Sequence, residues 1–138
     1  MASLIRDITV NEDSAPCWDA VRDFGALHQR LTAGFTIDCK LTSDREREVT
    51  FLSGAVAREY LVGIDDDRMR LVYSVVESPM GSSHNNSSVQ VIPDGDGRCR
   101  FVWIVDVLPD EHAKRTGELM DSGLAVMKRT LEADRGES

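Results

Sequence analysis

Apolar and polar side chains alternate with a period of two over the first ten positions, with Leu4, Arg6, Ile8 and Val10 on one face and Ile5, Asp7 and Thr9 on the other. This predicts a strand with one mostly apolar face. The period then changes: Trp18, Val21 and Phe24 follow at helical spacing behind Ser14, which can cap a helix, and Pro16, which a first turn tolerates. Gly25 breaks that helix, and Ala26 to Leu31 can make a second short one before Thr32-Ala33-Gly34. Strand-like material returns in six segments: Phe35 to Leu41, Glu46 to Leu52, Val56 to Ile64, Arg68 to Val76, Ser83 to Ile92 and Arg98 to Leu108. The breaks between them are turn chemistry, including Ser53-Gly54, Asp65-Asp66-Asp67, Ser78-Pro79-Met80-Gly81 and Asp94-Gly95-Asp96-Gly97. Such short connections favour an antiparallel meander.

The last pattern is one long helix from Asp110 to about Asp134. Met120, Leu124, Met127 and Leu131 stand at i, i+4, i+7 and i+11, Leu119, Gly123 and Val126 widen the stripe, and charged residues such as Lys114, Glu118 and Arg129 take the rest. A helix about 37 Å long with one apolar side needs an apolar surface to lie on. The seven-stranded sheet is the surface large enough to receive it. A curved antiparallel sheet closed by a terminal helix tends to enclose a cavity, so the fold expectation is α+β with a pocket.

At 138 residues and 41% hydrophobic content the chain fits a single domain, residues 1 to 138, able to bury a real core. Twenty-four acidic against sixteen basic residues give a formal charge of −8, which argues against nucleic acid and anionic lipid surfaces as partners. No stretch has the length of a signal peptide core or a membrane span, so a cytoplasmic protein without membrane insertion is expected. Cys17, Cys39 and Cys99 are odd in number, far apart and without C-x-x-C spacing, and read as reduced, buried, small apolar residues. No metal site or cofactor is expected: Asp65-Asp66-Asp67 lacks EF-hand spacing and reads as an acidic hairpin turn.

The order strand, two short helices, six strands, long helix resembles the helix-grip fold of the START superfamily, also called SRPBCC, which includes birch-pollen-allergen-like proteins. The stretch from Ser14-Ala15-Pro16-Cys17-Trp18 to Asp23-Phe24-Gly25 is similar to the opening of its bacterial polyketide cyclase/dehydrase branch, with Cys17 where that branch usually has valine. Glu59 to Asp66, Leu71 to Pro79, the hairpin Ile92 to Cys99 and the helix end Gly123 to Leu131 resemble further stretches of it. Ser53-Gly54-Ala55-Val56 also resembles the gate loop of plant abscisic-acid receptors. Met80-Gly81-Ser82 departs from their latch, and Ile37 takes the place of their hormone-binding lysine.

The resemblance implies a register in which Ile37, Cys39, Ala57, Glu59, Leu61, Tyr73, Val75, Asn85, Ser87, Val102 and Ile104 point into the cavity, with Met120, Leu124 and Met127 on the helix that roofs it. This mixture of apolar lining and a few polar groups suits a small-molecule site. Glu59 is the candidate catalytic residue: as a general base it could deprotonate a carbon acid, whereas the bland alternative is a glutamate ion-paired with Arg58 or Arg68. Alternation puts His84 and Asn85 on opposite faces, with Asn85 the one expected inside. His28 and His112 read as surface residues, and Trp18 and Trp103 as packing residues.

The expected function is binding of a small, largely apolar ligand of lipid, polyketide or aromatic type, by a monomer or weak homodimer, with the loops Leu52 to Val56 and Ser78 to Ser83 at the entrance. Two alternatives stand beside it: a polyketide cyclase/dehydrase-type enzyme using Glu59, and a protein-interaction module acting through the gate loops or long helix.

Overall fold

The computed structural model describes residues 1–136. One antiparallel sheet contains β1 (Ala2–Val10), β2 (Thr36–Leu41), β3 (Glu46–Phe51), β4 (Val56–Asp65), β5 (Arg70–Glu77), β6 (His84–Pro93) and β7 (Cys99–Leu108). Helices α1 (Ser14–Arg22) and α2 (Leu27–Arg30) separate β1 from β2, and α3 (Ala113–Gly136) follows a single 3-10 turn at Asp110–His112. The spatial order β1-β7-β6-β5-β4-β3-β2 is a meander from β2 to β7, with β1 brought round to pair with β7. This is the α+β arrangement expected from the hydrophobic periods, and the helix-grip fold that the resemblance implied.

The strands form one wall of the core because their apolar residues recur at period two. In β7, Cys99, Phe101, Trp103, Val105 and Val107 are buried, while Arg100 and Asp106 lie on the opposite, outer face. In α3 the helical period does the same: Met120, Leu124, Met127 and Leu131 are all buried. Each such side chain contributes roughly 1.5–3 kcal/mol when removed from water. The helix is tied to the sheet edge by Arg6 Nε to Asp121 Oδ1 at 3.0 Å and by Lys128 Nζ to the Thr9 carbonyl at 2.7 Å. Gly117 permits this approach, since a Cβ there would stand 2.8 Å from the Arg6 guanidinium and 3.2 Å from Leu4.

Two local expectations are corrected. The residue preceding α1 is Asp13, so Ser14 is already helical, and the Asp13 carboxylate accepts the Gly97 amide at 2.8 Å, joining the β6–β7 hairpin to the start of α1. In β2 the pairing with β3 slips between Thr36 and Asp38. That bulge puts Thr36 and Cys39 both inside and turns Ile37 outward.

The acidic turn after β4 has a structural task. Asp66 accepts Trp18 Nε1 at 2.9 Å and Arg22 Nε at 2.8 Å, fastening α1 to the far end of the β4–β5 hairpin. The indole N–H, and next to it the guanidinium, hold the Asp66 carboxyl below the ordinary aspartate range. The stabilisation from this contact is complete above the unfolded-state value near pH 4 and is lost as pH falls through the lower folded-state value. Asp66→Asn is therefore expected to flatten the acid limb of the stability profile below about pH 4. Urea midpoints collected from pH 7 down to pH 3 for both proteins check this; superimposable acid limbs would count against it.

All three cysteines are buried and free of disulfides. No helix among the described residues is long and apolar enough to cross a membrane.

Candidate functional site

Between the inner face of the sheet and α3 lies a cavity of about 750 Å³. The sheet contributes Arg47, Ala57, Glu59, Leu71, Tyr73, Val75, Asn85, Ser87, Val89, Trp103 and Val105; α3 contributes Thr116, Leu119, Met120 and Met127. Val21, Leu27 and Leu31 close the end beneath α1 and α2. The mouth is bordered by Leu52, Ser53 and Ala55 from one loop and Ser78, Pro79 and Met80 from another. Leu52 is 71% exposed, an aliphatic side chain held at the opening rather than in the core. The second loop is pinned to the helix region: Ser82 Oγ and His112 Nδ1 are 2.8 Å apart, and Thr116 Oγ1 donates to Met80 Sδ at 3.7 Å. His112 is thus half-buried rather than a surface residue, and His28 is half-buried too, its Nδ1 enclosed without a protein partner.

One polar constellation interrupts the apolar wall. Arg47 on β3 stands directly across from Glu59 on β4. Its Nε and Nη2 both reach Glu59 Oε1 at 2.8 Å, and Nη1 donates to the Phe24 carbonyl at 3.1 Å. The guanidinium also lies 3.9 Å from the centre of the Phe24 ring and 5.3 Å from that of Tyr73. The side chains of the pair are 5% and 8% exposed, so this is a fully interior salt bridge. Neither expected partner serves: Arg58 pairs with Glu46 and Glu77 on the outer surface, and Arg68 with Asp65. Burial, then the nearby Glu59 carboxylate, push the Tyr73 hydroxyl far above its ordinary value, so it stays protonated and able to donate.

Of the residues expected at the cavity, Ala57, Glu59, Tyr73, Val75, Asn85, Ser87, Met120 and Met127 do line it. The others lie elsewhere. Val102 and Ile104 sit on the outer face, opposite Gln90 and Ser88, because β7 is apolar on both faces and its inner set is the odd one. Ile37 is 52% exposed through the β2 bulge. Cys39 is buried away from the cavity with its Sγ 3.6 Å from the Phe24 carbonyl, and burial raises its thiol pKa. Leu124 is buried in the core cluster, and half-buried Leu61 packs against it; neither lines the cavity. His84 is exposed.

The residues missed were Arg47, Trp103 and Val105 above all. Arg47 shares its face of β3 with buried Val49, and a charged residue on an apolar face was the available signal. For β7 the signal was the pair Arg100 and Asp106, which mark the even face as the wet one.

A curved sheet gripping a helix over a mainly apolar cavity defines the START/SRPBCC class of pocket proteins. Within it, the chain belongs to the family described as polyketide cyclase / dehydrase and lipid transport, whose model matches residues 1–132. Among solved structures it is similar to XoxI from Bacillus cereus, with a TM-score of 0.84, 20% identity, and 95% of this chain and 96% of that one covered. It is similar to the di-domain ARO/CYC BexL of the BE-7585A biosynthetic pathway, with a TM-score of 0.83 and 12% identity over 96% of this chain and 47% of that one. Norcoclaurine synthase from Thalictrum flavum, solved with dopamine and hydroxybenzaldehyde, gives a TM-score of 0.73 and 17% identity over 99% of this chain and 87% of that one. At these identities the likeness speaks for the fold. No curated protein matches the sequence.

Proposed function

We propose that the protein binds one small, largely apolar molecule of lipid, polyketide or aromatic type in the cavity between sheet and α3, admitted between the loops Leu52–Val56 and Ser78–Ser83. The observation that carries this reading is the cavity itself: about 750 Å³, walled mainly by aliphatic and aromatic side chains. Its size lies inside the usual range for small-molecule sites, roughly 300–1,000 Å³, and its few polar groups suffice to orient a ligand. Each 100 Å² of apolar ligand surface buried there contributes roughly 2.5 kcal/mol before the costs of association.

The test is native mass spectrometry of freshly purified protein, followed by thermal unfolding against fatty acids, sterols, aromatic polyketides and flavonoids. A bound species, or stabilisation approaching about 2.7 kcal/mol at a hundredfold excess over Kd, is the expected result. No bound species and no shift across the panel would overturn it in favour of partner binding through the gate loops.

A second reading, proton transfer by Glu59 in a cyclase- or dehydrase-type reaction, is favoured by one detail. Glu59 lines the cavity beside Tyr73, so its carboxylate, held by Arg47 at Oε1, borders the space a ligand would fill. Against it, protonating Glu59 would strand the Arg47 guanidinium in the interior. In the same ligand experiments, Glu59→Gln abolishing turnover while sparing affinity would establish the catalytic role, and turnover unaffected by the change would dismiss it.

A further inference from the structure

The cavity wall and the chain that builds it carry opposite charge. The whole protein stands at −8, yet the charged residues lining the cavity are three arginines, Arg47, Arg115 and Arg129, and one glutamate, Glu59. Arg47 and Glu59 neutralise each other in the interior, so the surplus is the two exposed arginines of α3. These stand fourteen residues apart, about 21 Å along the helix axis, too far to hold one ligand group between them. Arg115 is the one at the entrance. Beside it Thr116 donates to Met80 Sδ at 3.7 Å, on the Ser78–Ser83 loop, and Leu119, one turn on, is 40% exposed. Exposed arginines elsewhere take up the chain's excess carboxylates: Arg22 pairs with Asp66, Arg30 with Asp19 and Asp23, and Arg100 with Asp7. Arg115 does not. Among the described residues no carboxylate lies within ion-pairing distance of it, although Glu111 stands four positions before it and Glu118 three after.

We infer that Arg115 is the head-group site for an amphiphilic ligand, whose anionic end, a carboxylate in the simplest case, pairs with the guanidinium at the rim while its apolar body fills the cavity. The inference rests on the proposed ligand-binding role and names the ligand class within it. The position of the charge decides the orientation. Drawn into the interior, a carboxylate would lose its water and meet Glu59, a like charge whose cation is already taken. At the rim it keeps part of its hydration, and the guanidinium's forked N–H groups match its two oxygens. Leu119, Pro79 and Met80 border the same opening, and the water they exclude strengthens the attraction over that between two charges in bulk solvent. The net −8 of the chain opposes an anion only at a distance: physiological salt screens such fields beyond about 8 Å, and the rim contact lies well inside that.

The experiment titrates three probes with the same tail, decanoate, decan-1-ol and decylamine, calorimetrically at neutral pH into wild type, Arg115→Gln and Lys114→Gln. In wild type decanoate is expected to bind about fivefold more tightly than the alcohol, with the cationic amine weakest. Arg115→Gln removes the carboxylate's advantage and leaves the alcohol unchanged. Lys114 carries the same charge one position away, is exposed and does not line the cavity, so Lys114→Gln preserves the preference. A readout on the unaltered protein guards against a variant that fails to fold: raising salt from about 0.1 M to about 1 M shortens the screening length from about 10 Å to about 3 Å and should shrink the carboxylate's advantage without weakening the alcohol. Equal affinities for decanoate and decanol in wild type, an advantage that Arg115→Gln leaves intact, or equal losses in the two variants overturn the head-group site and leave the pocket standing. Binding of none of the three overturns the pocket reading and the head-group site with it.

Discussion

Arg47→Met should lower the unfolding free energy by about 3–5 kcal/mol, the range found when one member of a buried ion pair is removed. The substitution keeps an unbranched side chain between Phe24 and Tyr73 but leaves the Glu59 carboxylate, in a residue 6% exposed, without its cation, and the Phe24 carbonyl without its donor. Against a total stability of order 5–15 kcal/mol this is a severe loss. Denaturant unfolding monitored by circular dichroism measures it directly. The double variant Arg47→Met with Glu59→Met should regain most of the stability, because no charge then remains to be desolvated. A loss under about 1 kcal/mol for the single change would mean the pair behaves like a surface salt bridge and that water reaches it freely.

Phe101→Ala should cost a similar amount, about 3–5 kcal/mol, for an unrelated reason. Phe101 is fully buried on β7, between Ile8 on β1 and Val91 on β6, in the densely packed end of the molecule rather than at the cavity wall. Its neighbours are held by two strand ladders and cannot move in to fill the space. Calorimetric unfolding should show the loss, while the folded variant keeps the ligand affinity of the wild type. A cost below about 1 kcal/mol would show that this end of the core is as yielding as the hollow end.

These two sites also show what periodicity can and cannot reveal. The sheet, the two short helices and α3 follow from changes of period, and Met120 and Met127 were legible as cavity residues because a helical stripe admits little ambiguity about its buried side. Strands are less forgiving, because a shift of one residue exchanges the two faces. In β7, Val102 and Ile104 are as apolar as Trp103 and Val105, so only the flanking Arg100 and Asp106 tell the faces apart. In β2 the bulge destroys alternation between Thr36 and Cys39, and no residue there announces it. The Arg47–Glu59 pair was half visible: Glu59 follows from Ala57, but choosing Arg47 over Arg58 or Arg68 required the β3–β4 register, a tertiary fact.

The placement of β1 at the edge of the sheet, with Ala2 opposite Val107 and Val10 opposite Cys99, bears on how the chain is made. Strands β2 to β7 can each pair with the one just synthesised, but β1 leaves the ribosome about a hundred residues ahead of the strand that receives it. Until β7 emerges, the inner side chains Leu4 and Ile8 have no sheet to join and the backbone of β1 has no ladder. The nascent chain therefore carries an adhesive segment until β7 emerges, and docking of β1 on β7 has a long loop to close, which slows that pairing and leaves unfinished chains open to association.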